Sequence, residues 1–296
     1  MTLWTELEGL DYRIRHVAVG RWSTRVLECG DPGAIPFILM HGTGGHLEAF
    51  TRNLRALAAR YRVIAYDYPG HGWTTTTDRD LEIDDYVDHL TQLLDRLGIA
   101  GADARGGGRG ESRAHLSGES LGGWVAIKFA ARYPGRVGRL VLNTPGGTMA
   151  TPEVMERIRS LSQAAADDPS TERIRARLEW LMADPASVTD ELVAVRRGVY
   201  SRAGFAESMR HILCLQDPEV RRRNMVTDAD LAAITAPTLV IWTSDDPSGP
   251  AGAGLDMAEK IPAGEFRLIK GAGHWPQWEQ QEEFDAAVLE FLGRGE

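Results

Sequence analysis

Residues 118–123 read Gly-Glu-Ser-Leu-Gly-Gly, between the apolar run AHLSG (114–118) and the helix-like WVAIKFAARYP (124–134). A serine at such a strand-to-helix junction sits on a sharp, strained turn. The flanking glycines remove Cβ atoms that would clash there. The turn lifts the hydroxyl clear of a sheet, and the helix start behind it presents unpaired N–H groups and a positive dipole end. Ser120 is thus a candidate nucleophile, and the Leu121 N–H a candidate donor to a developing oxyanion.

A serine hydroxyl is a poor nucleophile without a base, and the base needs an orienting acid. On a strand–turn–helix of this kind the chain order is Ser, acid, His. TLVIWTSDDPSGP (238–250) sets Asp245 and Asp246 just beyond an apolar run, and GAGHWPQWE (271–279) sets His274 beyond the next. Asp246 is taken as the acid, with Asp245 left to cap or brace the turn. HGTGG (41–45) follows the run FILM, and its glycines let backbone N–H groups approach a ligand. Thr43 or Gly44 is the candidate second oxyanion donor. In YDYPGHG (66–72), Asp67 and His71 read as structural. His16, His46, His89, His115 and His211 read as ordinary surface or core residues.

Further apolar runs suited to buried strands are RVLEC (25–29), RVIAYD (62–67), RLVLNT (139–144) and FRLIKG (266–271). Residues 47–61 and 83–98 carry apolar residues at helical spacing, with Asp84 and Asp85 suiting a helix start and Gly98 its end. Alternating strands and helices predict an α/β fold with a mostly parallel central sheet and helices on both faces. From 145 to 235 the pattern is helical only. The expected division is an α/β core, 1–144 with 236–296, and an inserted helical cap, 145–235. A cap so placed covers the strand C-terminal ends, where open α/β sheets bind ligands. GADARGGGRGES (101–112) precedes the strand AHLSG, so it reads as a surface loop at the sheet edge far from the chemistry; a phosphate cradle is the alternative, weakened because no GK[ST] follows its glycines.

Composition narrows the classes. The chain has 296 residues, 43% of them hydrophobic and 25% charged, as in a soluble globular protein. The net charge of −9 argues against a nucleic-acid partner. Cys29 and Cys214 stand far apart, outside any metal-binding spacing, so neither zinc nor a disulfide is expected. No apolar run is long enough for a membrane span, and the first residues lack a signal-peptide pattern. The expectation is a reduced, cytoplasmic protein without membrane or nucleic-acid partners, with a homo-oligomer left open.

HGTGG, DYPGHG, GESLGG, SDDPSGP and GAGHW together resemble the α/β-hydrolase superfamily over nearly the whole chain. Within it the chain looks most like the meta-cleavage product hydrolases, which cut carbon–carbon bonds in ring-fission products of aromatic degradation. Three features carry that likeness: His274 followed by Trp275 in GHWPQWE, LNTPGG at 142–147, and TDELVAVR at 189–196. The last matches T-D-x-L-x-x-x-R, whose arginine binds the substrate carboxylate in that family. The resemblance places that role on Arg196, and a guanidinium fork suits a carboxylate. It implies a small carboxylate-bearing substrate, no cofactor and no metal, with Gly42, Glu119 and Trp275 at the substrate. Two positions depart from the family pattern: Glu119 stands where Asn is usual, and HGTGGH is shorter than HG-x-G-P-G-A. Either Glu119 points away from the site or the substrate differs. An ester hydrolase, for example of a phthalate monoester, uses the same Ser-His-Asp set. Ser120 disfavours dehalogenases and epoxide hydrolases, which need Asp at that place.

Overall fold

The computed structural model describes residues 2–99, 113–148 and 150–294. Eight strands form one sheet: β1 Tyr12–Val19, β2 Trp22–Cys29, β3 Pro36–Met40, β4 Arg62–Tyr66, β5 Ala114–Glu119, β6 Val137–Asn143, β7 Thr238–Thr243 and β8 Gly264–Ile269. Their order is β1-β2-β4-β3-β5-β6-β7-β8. β1 and β2 run antiparallel to their neighbours, and all pairings from β4 to β8 are parallel. A mostly parallel sheet needs cover on both faces, and the central strands read accordingly: β3, β5 and β7 are buried at every residue.

Side-chain alternation along those strands separates two cores. Phe37, Leu39, Val63, Ala65 and Ile241 face one, with Leu54, Leu57, Phe284 and Phe291 of helices Thr51–Ala58 and Gln281–Leu292. Ile38, Met40, Ile64, Tyr66 and Val240 face the other, with Tyr86, Leu90, Val125 and Met257 of helices Ile83–Arg96, Leu121–Arg132 and Ala251–Lys260. Helix Ile83–Arg96 starts in a capping box between Glu82 and Asp85, and Gly98 beyond its end has φ +74°.

β1 escaped the sequence reading. Its run YRIRHVAV alternates with charged residues, as an edge strand with one wet face does. β2 likewise starts before RVLEC, at Trp22. Between β6 and β7 every described element is helical, from Pro152 to Ala232. The Gly/Arg-rich stretch 101–112 lies outside the described residues. Among the described residues no helix is long and apolar enough to cross a membrane.

One buried ionic cluster ties the loops at the C-terminal ends of β3 and β4. The Arg25 guanidinium donates to Asp67 at 2.6 Å and to both Glu48 oxygens at 2.8 and 2.6 Å. Asp67 also accepts the Leu47 and Trp73 N–H groups. A Cβ on Gly72 would fall 2.1 Å from the Asp67 carboxyl, so that turn admits only glycine.

Candidate active site

Ser120 leaves β5 with φ 52° and ψ −111°. Among the described residues it shares positive φ, outside glycine, with Thr144 alone. Such a conformation costs on the order of 1–3 kcal/mol, and the surroundings enforce it. Cβ atoms on Gly118 and Gly122 would each fall 2.2 Å from a backbone oxygen, of Gly122 and Met40 respectively. The Ser120 N–H donates to Asn143 O, and Ser120 O accepts from Gly146 N–H at 2.8 Å.

His274 follows β8, and its Nδ1–H faces the Asp246 carboxylate, 3.0 Å from each oxygen. Ser248 fixes that carboxylate by donating its N–H and hydroxyl to Oδ1. Asp245 is exposed and accepts from Ser244 Oγ instead. Two backbone bonds hold His274 itself: its N–H donates to Leu181 O, and its carbonyl accepts from Thr144 Oγ. Burial pulls the imidazole pKa down, but Asp246 and Glu119 outweigh that and hold it above its ordinary value.

Glu119 does not point away. Its carboxyl is buried, with Oε1 3.3 Å from His274 Nε2, and it lines the same cavity as Ser120 and His274. The imidazole thus lies between two carboxyl groups. Both Glu119 oxygens lie 2.6 Å from where a Cβ on Gly42 would stand, so Gly42 makes room for this side chain. Burial pushes the Glu119 pKa up, and His274, the Gly42 N–H, Arg196 and Arg177 recover only part of it.

The loop after β3 brings Gly42, Thr43 and Gly45 to the cavity. Gly44, expected with Thr43 as a donor, is not among the lining residues; with φ +69° its carbonyl accepts from Tyr200 Oη at 3.0 Å. Leu121 and Trp275 also line the cavity.

Arg196 is buried, and its guanidinium lies 5.4 Å from the Trp275 ring centroid. Its Nε donates to His46 Nε2 at 3.2 Å, which leaves the His46 proton on Nδ1, directed at Glu48. His46 is therefore more than filler: it links Arg196 to the Arg25 cluster. Among the described residues the Arg196 Nη2 has no partner. Arg196 is nevertheless not among the residues lining the cavity; Arg177 and Arg221 are. The sequence reading passed over both. The signal was present for Arg177, which shares the buried stripe of helix Thr171–Glu179 with Ile174 and Leu178. Arg196 shares one with Leu192, Val193 and Val199 on helix Asp190–Tyr200. A cation at an apolar helical position is unexpected unless something pairs with it. Among the described residues no cluster of His, Cys, Asp and Glu could hold a metal ion.

A strained serine at a strand–helix elbow, with a histidine and an acid supplied by later strands of a mostly parallel sheet, is the arrangement of an α/β hydrolase. The model of the alpha/beta hydrolase family matches residues 37–287, and this chain belongs to that family. It is an enzyme. It is 35% identical, over 87% of its length and 86% of the relative's, to a 2-hydroxy-6-oxononadienedioate/2-hydroxy-6-oxononatrienedioate hydrolase of Burkholderia vietnamiensis. It is 33% identical to a 2-hydroxy-6-oxo-6-phenylhexa-2,4-dienoate hydrolase of Burkholderia cepacia, over 87% of each. The solved meta-cleavage product hydrolase of Pseudomonas fluorescens IP01 superposes with a TM-score of 0.80 at 29% identity, covering 96% of this chain and 98% of that one.

Proposed function

We propose that this enzyme hydrolyses a carbon–carbon bond in a vinylogous 1,5-diketone of the 2-hydroxy-6-oxo-dienoate type, with Ser120 as nucleophile, His274 as base and Asp246 as its orienting acid. The observation that carries the reading is the shared cavity: Ser120 and His274 line it together with buried guanidinium groups fit for a carboxylate. The names of the relatives support the substrate class. Residues 145–235 act as the cap that closes the cavity over the elbow.

The dienol first becomes a ketone. His274 Nε2 then takes the Ser120 proton, and Oγ attacks the carbonyl carbon. The oxyanion rests on the Leu121 N–H and on one from the Thr43–Gly44 segment; removing one such donor costs about 10²–10³ in rate. The bond to the neighbouring carbon breaks, and its electron pair leaves as an enolate that His274 protonates. Water releases the acyl group from Ser120. Arg177, on the cavity wall, holds the substrate carboxylate, and Arg196, outside the lining and against Trp275, adds positive potential behind it. Glu119, across the imidazole from Asp246, is placed to stabilise the imidazolium that forms when His274 takes the proton.

Glu119 at the position where that family usually has Asn favours a second reading, hydrolysis of a carboxylate-bearing ester by the same residues. Turnover of a ring-fission dienoate, followed by loss of its yellow colour, is compared with acid release from a phthalate monoester. A larger kcat/KM on the dienoate is the expected result; a larger one on the ester assigns the second reading. Ser120→Ala is expected to lower kcat by about 10⁴ or more with an unchanged Tm. Activity near that of the unaltered enzyme would remove Ser120 from the mechanism.

A further inference from the structure

Among the described residues, two cations on the cavity wall have no counter-charge in contact and keep a nitrogen without a partner. Arg177 is 4% exposed; its Nε donates to Ser162 Oγ at 2.9 Å, and its Nη1 has no partner. Arg221 is 9% exposed; its Nη2 donates to Thr148 O at 3.2 Å, its Nε has no partner, and its guanidinium lies 5.0 Å from the Trp124 ring centroid. Among the described residues lining the cavity, Glu119 is the one carboxyl group. It reaches Arg177 as an electrostatic influence, without a direct bond. Burial draws the Arg177 pKa down to about 10, which leaves it charged at neutral pH. A buried cation with open N–H groups and no counter-charge is costly to keep. A ligand anion would supply both.

The two guanidinium groups are braced at opposite ends of one wall. Ser162 stands toward the C-terminal end of helix Pro152–Asp167, and Thr148 precedes its start. Val154 and Ile158 of the same helix line the cavity between them. At 1.5 Å rise per residue the helix from 152 to 162 covers about 15 Å, the reach of an extended linear diacid. The Arg177 end faces the reacting groups: Arg177 acts electrostatically on His274 and Glu119.

We propose that Arg177 and Arg221 are two anion-binding ends of the cavity, so that the substrate is a dianion. Its first carboxylate lies at the triad end, on Arg177. Its second lies at the far end, on the Arg221 fork over Trp124. This rests on the proposed use of the cavity as the substrate site, but not on which bond is cut.

The test is calorimetric titration of the Ser120→Ala protein with unbranched α,ω-diacids (pimelate, azelate) and the monoacids of equal length (heptanoate, nonanoate). The diacids are expected to bind at least tenfold more tightly, a difference of about 1.4 kcal/mol. Adding Arg221→Met is expected to erase that preference, and adding Arg177→Met to weaken both ligand types. Should the Arg221→Met chain not fold, Arg221→Lys keeps the charge and loses the fork, and a preference reduced but not abolished is expected. Equal binding of diacid and monoacid, no measurable binding of either, or a preference that survives loss of Arg221 would overturn the proposal. These results are distinct from failure of the reaction assigned above. Turnover of a dienoate with no diacid preference removes only the dianion; a diacid preference without turnover of any dienoate removes only the reaction.

Discussion

Arg25 and Arg177 are both buried arginines, and they are treated in opposite ways. Arg25 meets two carboxylates, Asp67 and Glu48, and its open donors are used up inside the protein. Arg177 meets one serine hydroxyl and keeps a terminal nitrogen free at a cavity. The first arrangement is complete within the fold: the ion pairs, hydrogen-bonded on both sides, fix the loops after β3 and β4, and removal of one partner strands a buried charge. The second leaves its cation dependent on what enters from solvent. Burial alone does not assign a charged residue to architecture or to function; the whereabouts of its counter-ion does.

The largest effect that tests this contrast is on stability. Asp67→Ala strands Arg25 beside Glu48 alone and leaves the Leu47 and Trp73 N–H groups unpaired, so a loss of about 3–5 kcal/mol is expected in denaturant titration. A loss below 1 kcal/mol would mean that the cluster is ornamental. Arg177→Met should behave in reverse. Replacing an unpaired buried cation by an apolar side chain is expected to leave stability unchanged or raised. The same change should raise KM for a carboxylate substrate by about 10- to 100-fold, in line with about 1.5–3 kcal/mol for a bond to a charged group. A destabilised Arg177→Met protein with normal KM would put Arg177 in the same class as Arg25.

The smallest effect concerns Glu119. The base must be neutral to act, and its pKa is held above the ordinary 6.5, so kcat/KM should fall on the acid side through a limb above about pH 6.5. Glu119 is one of the groups holding it there. Removing a negative neighbour weakens the imidazolium, so Glu119→Gln should move that limb to lower pH. An unmoved limb would show that Glu119 carries no charge across that range.

The fold was largely legible because buried parallel strands are apolar throughout, and β3, β5 and β7 could be read from that alone. β1 was not, because its charged residues hide the period of two. The order Ser120, Asp246, His274 was legible because each residue follows a strand. The direction of Glu119 was not. It depends on space that Gly42 leaves in another loop, a contact between residues far apart in the sequence. Arg177 was written in the pattern as a charge on an apolar stripe, but the pattern does not say whether a carboxylate waits across the interface. That question belongs to tertiary packing. It separates Arg177 from Arg25, whose partners come from a loop and a short helix elsewhere in the chain.

Thr144 marks the point where β6 ends and the long helical excursion begins. Its hydroxyl holds the His274 carbonyl, and two residues on, the Gly146 N–H holds that of Ser120. The proposed nucleophile and base are thereby both moored to one short piece of backbone before the chain enters the helices that follow β6. The excursion sends one tie back, for the Leu181 carbonyl within it accepts the His274 N–H, so a change that shifts that backbone shifts the imidazole. Only the parts of the roof away from that tie can be rewritten without touching the hearth.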